Sequence, residues 1–268
     1  MAGIAEHERQ QEVLRLLDVD GRVSVADLVH RFGVTAVTIR KDLEVLERRH
    51  LVTRVRGGAV PADGADEGAF EMRLRHGAAA KAAIARAAAQ LVPDGAAIAL
   101  DCSTTCYHLA QELRGRRSLI VVTNGLRAAE LLSDSGVTVV LPGGTLRRSS
   151  WSVVGDFGDS VASRGRLSMG FFGVRGLSRE HGLMELTIEE TAVKRRLAAA
   201  CTEIYALFDS SKIGRFALHS FTAAHRISAL YTDDGADTDA LAGFAELDVA
   251  VHRVPVGPTH EITPRTSA

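Results

Sequence analysis

The chain of 268 residues is 46% hydrophobic and 24% charged, with a formal net charge of −1; this is ordinary globular composition with room for two domains. No apolar run reaches the roughly 18–20 residues of a membrane helix, and the polar start (Glu6, His7, Glu8, Arg9) lacks the apolar core of a secretory signal. Cys102, Cys106 and Cys201 are too few and too scattered for a disulfide framework, so a cytoplasmic protein is expected.

The neutral total hides a local excess. Between Arg31 and Val60, seven basic residues (Arg31, Arg40, Lys41, Arg48, Arg49, Arg54, Arg56) stand against three acidic ones (Asp42, Glu44, Glu47). A small nucleic-acid-binding face has this look, although a solvated helix face shares it. Three helices fit the same region. The first runs over about Glu6–Leu17, with Val13, Leu14 and Leu17 on one face, and stops at Asp18, Asp20 and Gly21. The second begins at Ser24, with Asp27 in capping-box spacing, and Val25, Leu28, Val29 and Phe32 repeat along one buried stripe. Gly33 supplies the turn, and Thr35 caps a third helix that buries Ile39, Leu43 and Leu46. This is the helix-turn-helix outline, which places the third helix in the major groove of DNA. Residues 51–58 then alternate as a short hairpin, a wing with Arg54 and Arg56 on one side. The candidate DNA contacts are Ser24, Thr35, Thr38, Arg40, Lys41, Arg54 and Arg56; arginine can read guanine bidentately, whereas threonine and lysine suit phosphates.

Residues 1–60 are thus expected to form a winged helix-turn-helix domain and residues 61–69, small and acidic, a linker. Residues 70–256 are expected to form an α/β domain, and residues 257–268 a disordered tail. The α/β domain opens with one alanine-rich helix over about Phe70–Leu91. Expected strands are Ile98–Asp101, Leu119–Thr123, Val137–Leu141, Phe171–Val174, Ile204–Asp209, Ile227–Thr232 and Val249–Arg253. Helices lie between most of them, notably Thr105–Leu113, Leu126–Ser133, Ile188–Ala200 and Asp237–Glu246. Short apolar strands alternating with helices imply a mostly parallel sheet covered on both faces.

Ligands of such sheets bind beyond the carboxyl ends of the strands, where five polar motifs fall in turn. They are Asp101-Cys-Ser-Thr-Thr-Cys, Thr123-Asn-Gly, Pro142-Gly-Gly-Thr, Gly173-Val-Arg-Gly and Asp209-Ser-Ser-Lys-Ile-Gly. Ser103, Thr104 and Thr105 at a helix start make a phosphate cradle; Lys212 adds positive charge, and Asp101 or Asn124 suits sugar hydroxyls. One such loop is ordinary turn chemistry, but five on one edge point to a small anionic ligand. Cys102, Cys106 and His108 fall short of the four ligands of a structural zinc site, so neither a metal nor a cofactor is expected. Trp151 and Phe157 suit a pocket wall, the core or an interface equally.

On these strings the chain resembles the DeoR-type bacterial transcription regulators along nearly its whole length. The similarity runs through Gly21-Arg-Val-Ser-Val-Ala-Asp-Leu, Phe32-Gly-Val, Thr38-Ile-Arg-Lys-Asp-Leu and Arg56-Gly-Gly-Ala. It continues through the five strand-end motifs and Glu190-Thr-Ala-Val-Lys-Arg. The resemblance implies a repressor of carbohydrate catabolism genes that is released by a phosphorylated intermediate, with a sensor domain of ribose-5-phosphate isomerase fold. It also implies that Asp101, Ser103, Thr104, Thr105, Thr123, Asn124, Gly143, Gly144, Glu190, Lys194, Asp209 and Lys212 border the effector. Ser103 stands where the family usually has glycine, and Met184-Glu-Leu-Thr departs from its usual small-polar run.

Two other readings remain at this stage. One is an isomerase-like enzyme with an added DNA-binding domain, but the loop at Gly170–Gly176 lacks the carboxylate base that isomerisation requires. The other is an assembly module with a vestigial pocket. As a regulator, the chain is expected to act as a homo-oligomer, a dimer or tetramer, on repeated half-sites of double-stranded DNA, with the Phe70–Leu91 region as a candidate interface.

Overall fold

The computed structural model describes residues 6–20, 22–48, 52–61, 70–155 and 166–257. The expected linker beyond Pro61, the tail beyond Gly257, and Phe157 lie outside the described residues. The chain divides into two compact units between His76 and Gly77, with residues 148–150 counted in the first.

In the first unit, α1 (Glu6–Asp20), α2 (Val25–Phe32) and α3 (Ala36–Arg48) are followed by β2 (Val52–Val55), β3 (Gly58–Pro61) and α4 (Phe70–Arg75). A two-residue β1 (Val23–Ser24) precedes α2 and pairs with β3, which pairs in turn with β2. The start of α2 is capped by Ser24, whose hydroxyl accepts from the Asp27 amide at 3.1 Å and donates to the Asp27 carboxylate at 2.6 Å. Gly33 ends it in the left-handed conformation. Thr35 Oγ1 accepts from the Thr38 amide at 3.2 Å, which satisfies one unpaired donor at the start of α3. Val13, Leu17, Leu28, Ile39, Leu43 and Leu46 fill the centre with almost no exposed surface, each contributing about 1.5–3 kcal/mol by burial.

Asp42, one of the acidic residues of the basic segment, faces inward. Arg9 Nε and Nη2 donate to its two oxygens at 2.5 and 3.1 Å, and Gln10 adds a third donor at 3.3 Å. The hydrogen bond to Asp42 holds the Arg9 guanidinium above its ordinary pKa. This pair fixes the back of α3 to α1, and removing one partner strands the other in the core. Asp42→Ala is therefore expected to destabilise the first unit by about 3–5 kcal/mol, while Glu44→Ala on the exposed side changes it by under ~0.5 kcal/mol; urea unfolding of the two variants checks this.

The single helix expected over Phe70–Leu91 is two helices, α4 and α5 (Ala78–Ala89). Gly77 between them has φ of 59°, a left-handed conformation that breaks the α-helical ladder. Alanine propensity reads straight through such a break, which explains the difference. Ile84, Ala85 and Ala88 of α5 are buried in the apolar cluster on one face of the sheet, so this apolar stripe is not open to a partner.

Among the described residues, seven strands form one parallel sheet in the order β15-β14-β12-β9-β4-β5-β6. They are β4 (Ala97–Leu100), β5 (Ile120–Thr123), β6 (Thr138–Val140), β9 (Leu167–Phe172), β12 (Cys201–Leu207), β14 (Ala229–Asp233) and β15 (Ala250–Val254). Each overlaps one of the expected strands. On one face, α5, α6 (Thr104–Leu113) and α7 (Leu126–Ser133) pack around Ile98, Leu109, Leu132 and Phe171. On the other, α8 (Ile188–Ala200) and α9 (Thr238–Ala245) pack around Phe172, Leu197, Leu230 and Phe244. The α/β class and the two-sided cover are as expected.

Two smaller antiparallel pieces were not expected. One pairs β7 (Thr145–Arg147) with β8 (Ser152–Val154); the other orders β10 (Gly176–Ser178), β11 (Gly182–Glu185) and β13 (His219–Thr222) as β10-β11-β13. Their strands span only three or four residues, and β11 is buried at every position, so no alternation marks them in the sequence. Because the seven main strands are parallel, their carboxyl ends share one edge, and the five motifs leave from it.

Candidate functional site

In the first unit, Val37, Arg40 and Lys41 are exposed on α3, and Val37 is 72% exposed. Arg54, on the wing, donates through Nε to Glu47 of α3 at 2.7 Å, and its amide donates to the same carboxylate at 3.1 Å. Those two bonds hold the Glu47 carboxyl below its ordinary range. The pair ties wing to helix, and Arg56 of the wing is exposed, as are Arg40 and Lys41 of the helix. Thr35 and Thr38 bond to each other across the first turn at 2.9 Å. Ser24, also named as a DNA contact, caps the start of α2.

In the second unit, the strand-end residues form three groups. At the centre, Lys194 of α8 is fully enclosed. Its ammonium lies 2.9 Å from Asp101 Oδ2 and 2.5 Å from Glu185 Oε2, and donates to Gly173 O at 2.9 Å. Asp101 also accepts from the amides of Ser103 at 2.9 Å and Gly173 at 2.8 Å. Arg175 reaches the other Glu185 oxygen at 3.3 Å. Burial pushes the Glu185 carboxyl upward, but Lys194 and Arg175 outweigh it and hold the group down at about 2. Burial likewise works against the Lys194 charge, and Asp101 and then Glu185 reverse it, raising the ammonium above its ordinary value. Two cations face two carboxylates here, and they neutralise one another.

The second group surrounds Glu190, in the first turn of α8. Its Oε2 accepts from Asn124 Nδ2 at 3.2 Å and from the Cys102 thiol at 3.3 Å. Its Oε1 accepts from the Ser152 hydroxyl of β8 and lies 3.7 Å from Arg147 of β7. The third group lies beyond β12, where Asp209 caps a short 3-10 turn, Ser210–Lys212, by accepting from the Ser211 amide at 3.1 Å. The buried ammonium of Lys81, from α5, stands 3.9 Å from Asp209 Oδ2.

The remaining candidates take up varied places. Thr104 and Thr105 are buried in the first turn of α6, whose leading amides have no partner within the helix. Ser103 is its N-cap and accepts from the Cys106 amide at 3.2 Å, which satisfies one unpaired donor of the first turn. Thr123 accepts from the Gly125 amide at 3.0 Å, a turn within the loop. Gly143 and Gly144 are exposed, and a side chain at Gly144 would overlap Val154 O. Cys106 donates to Phe171 O on the helical side, and burial pushes its thiol well up. Trp151 has φ of 49° and carries the Arg127 guanidinium 4.1 Å above its ring. Among the described residues, no group of three or more His, Cys, Asp or Glu is placed to hold a metal ion, and no helix is long and apolar enough to cross a membrane.

The sequence reading missed Lys81, Ser152, Arg175 and Glu185. Lys81 was detectable, because it shares the buried stripe of Ile84, Ala85 and Ala88 on α5, a place where an unpaired lysine has no reason to be. Glu185 lies on β11, where every position is buried.

The model of the DeoR-like helix-turn-helix domain matches residues 9–64, and that of the DeoR C-terminal sensor domain matches residues 77–234. The chain belongs to the DeoR family of transcription regulators. Among its DeoR relatives is the putative aga operon transcriptional repressor of Escherichia coli O157:H7, 33% identical over 91% of this chain and 92% of that one. Another is the glycerol-3-phosphate regulon repressor of Escherichia coli K12, 30% identical over 84% and 90%. Among solved structures, ribose 5-phosphate isomerase A of Methanocaldococcus jannaschii is similar at 17% identity and a TM-score of 0.38, over 49% of this chain and 52% of that one. That likeness is too slight to speak of activity. Membership of the DeoR family decides between the readings of the sequence: the protein is a DNA-binding regulator, not an isomerase.

The central ion group makes two outcomes checkable. Lys194→Met leaves two buried carboxylates without their shared cation and is expected to destabilise the sensor by about 3–5 kcal/mol in urea unfolding. The Glu185 carboxyl titrates near 4.5 in an unfolded chain and near 2 when folded. Its contribution is therefore complete above pH 4.5 and lost as the pH falls toward 2, because the unfolded state takes up the proton first. In Glu185→Gln this part of the acid dependence should flatten, as read from unfolding free energies measured across that window.

Proposed function

We propose that this DeoR-family protein represses genes of carbohydrate catabolism, and that a small phosphorylated intermediate bound at the strand edge makes it release its operator. In this reading residues 1–60 bind double-stranded DNA, residues 61–69 link, and residues 70–256 sense the effector in the cytoplasm. A homo-oligomer would read repeated half-sites, since one wing-and-helix unit covers little DNA. The names of the two repressors above support the regulatory sense, and one refers to the regulon of a phosphorylated polyol.

The observation that carries the ligand class is the pairing of Lys81 with Asp209 on the turn that bears Lys212. The central group is already neutral, so Lys194 and Arg175 have little attraction left for an anion. Lys81, Lys212 and the amides at the start of α6 are then the groups to meet a phosphate. Asp101 and Lys194 hold the loops that frame it.

A gel shift on the protein's own upstream DNA, against a panel of sugar phosphates, tests both halves. Arg40→Ala should weaken operator binding by roughly 1–3 kcal/mol and reduce the salt slope by about one, without changing the response to the effector. The double variant Lys81→Met, Lys212→Ala should bind DNA as before but need at least about tenfold more ester for release, a loss of about 1.4 kcal/mol. Normal sensitivity in that variant would place the phosphate elsewhere.

A further inference from the structure

One residue on the outer face of α3 is neither charged nor polar. In this helix Ile39, Asp42, Leu43 and Leu46 are buried, while Val37, Arg40, Lys41 and Glu44 are exposed. Each set follows the i, i+3, i+4, i+7 spacing of a single helix face. At 3.6 residues per turn, Arg40 lies about 60° to one side of Val37 and Lys41 about 40° to the other. Val37 is 72% exposed, more than any other large hydrophobic residue among the described ones. A lone exposed valine is ordinary on a protein surface, so its place has to decide. It stands in the first turn of α3, the part that meets base edges when a helix-turn-helix docks in the major groove.

Local folding gives no reason for a valine there. A β-branched side chain loses freedom in a helix, and this one buries little in return. The hydroxyls beside it are engaged with the helix start: Thr35 Oγ1 accepts from the Thr38 amide at 3.2 Å and pairs with the Thr38 hydroxyl at 2.9 Å. Valine offers two methyl groups and neither a donor nor an acceptor. In the major groove only one base presents an apolar group, the C5-methyl of thymine. Against the amino group of cytosine or the acceptors of guanine, Val37 would displace water and give no hydrogen bond back. Its charged neighbours cannot supply the same preference, because guanidinium and ammonium groups seek guanine or phosphate oxygens.

We propose that Val37 reads a thymine methyl in each operator half-site and so sets one position of the DNA specificity. Residues one helical turn apart lie about 5–6 Å from each other, and successive bases about 3.4 Å. That thymine then falls within about two base pairs of the base that Arg40 meets. The inference rests on the DNA-binding role of the helix-turn-helix and is independent of the effector.

Exchanging thymine for deoxyuridine removes this methyl and leaves every hydrogen-bonding group of the base in place. Binding sites are first selected from random duplexes with the full-length protein. Each half-site thymine is then exchanged in turn, and the duplexes are titrated by fluorescence anisotropy. At one position per half-site the exchange is expected to weaken binding about fourfold, the worth of one buried methyl group. Val37→Ser removes both methyls from an exposed position, where folding is little affected. It should bind the thymine duplex about fourfold more weakly and no longer distinguish thymine from deoxyuridine at that position. The inference is overturned if no exchange weakens binding by the unaltered protein. It is equally overturned if Val37→Ser still distinguishes the two bases wherever the unaltered protein does; in both cases DNA binding itself stands. Failure to select any sequence at all would strike the operator-binding reading, and this one with it.

Discussion

The sensor edge depends on one enclosed ammonium. Lys194 joins the ends of β4 and β9, through Asp101 and Gly173, to β11, through Glu185. Its interactions cross pieces of chain far apart in sequence, and it sits on the helix that also carries Glu190. Taking such charges out of water costs several kcal/mol each, so the network is a poor source of net stability. What it supplies is definition: the loops after β4 and β9 and the strand β11 all meet at one cation. The parallel sheet brings the loops to a common edge, and the ion group then gives each of them a position.

That division explains how much could be read beforehand. Seven strands and their covering helices are visible in the sequence because burial on both faces writes continuous apolar runs, as in Ala97–Leu100 and Ile120–Thr123. The caps at Ser24 and Thr35 are visible because their partners lie three residues away. Glu185 and Ser152 were not, since their partners lie 9 and 38 residues away and no local spacing marks them. The loop lengths between motifs say nothing of which acid meets which base. The break at Gly77 was hidden for the opposite reason, because the alanines around it favour helix on both sides. Lys81 lay in between: its place on the buried stripe was legible, its partner Asp209 was not.

The first unit uses the same device on a smaller scale. Arg9 and Asp42 are buried behind the helix whose front bears Arg40 and Lys41. Asp42 lies between charged neighbours in sequence and reads as part of the surface, so a count of charges understates how positive the exposed side is. With Asp42 turned inward and Glu47 bonded to Arg54, the acidic residues of the segment are largely occupied. A chain of formal net charge −1 can therefore offer a basic face to DNA, because the sign that matters is local.

The distribution of charge also bears on how an effector could act at all. A ligand shifts a conformational equilibrium only by its difference in affinity for the two states. A phosphate drawn to Lys194 would have to break a saturated group, and the gain would be offset by the carboxylates left behind. A phosphate near Lys81 competes instead with Asp209, whose carboxylate is 3.9 Å away and also caps the turn that carries Lys212. Loosening that pair frees a turn, not the core.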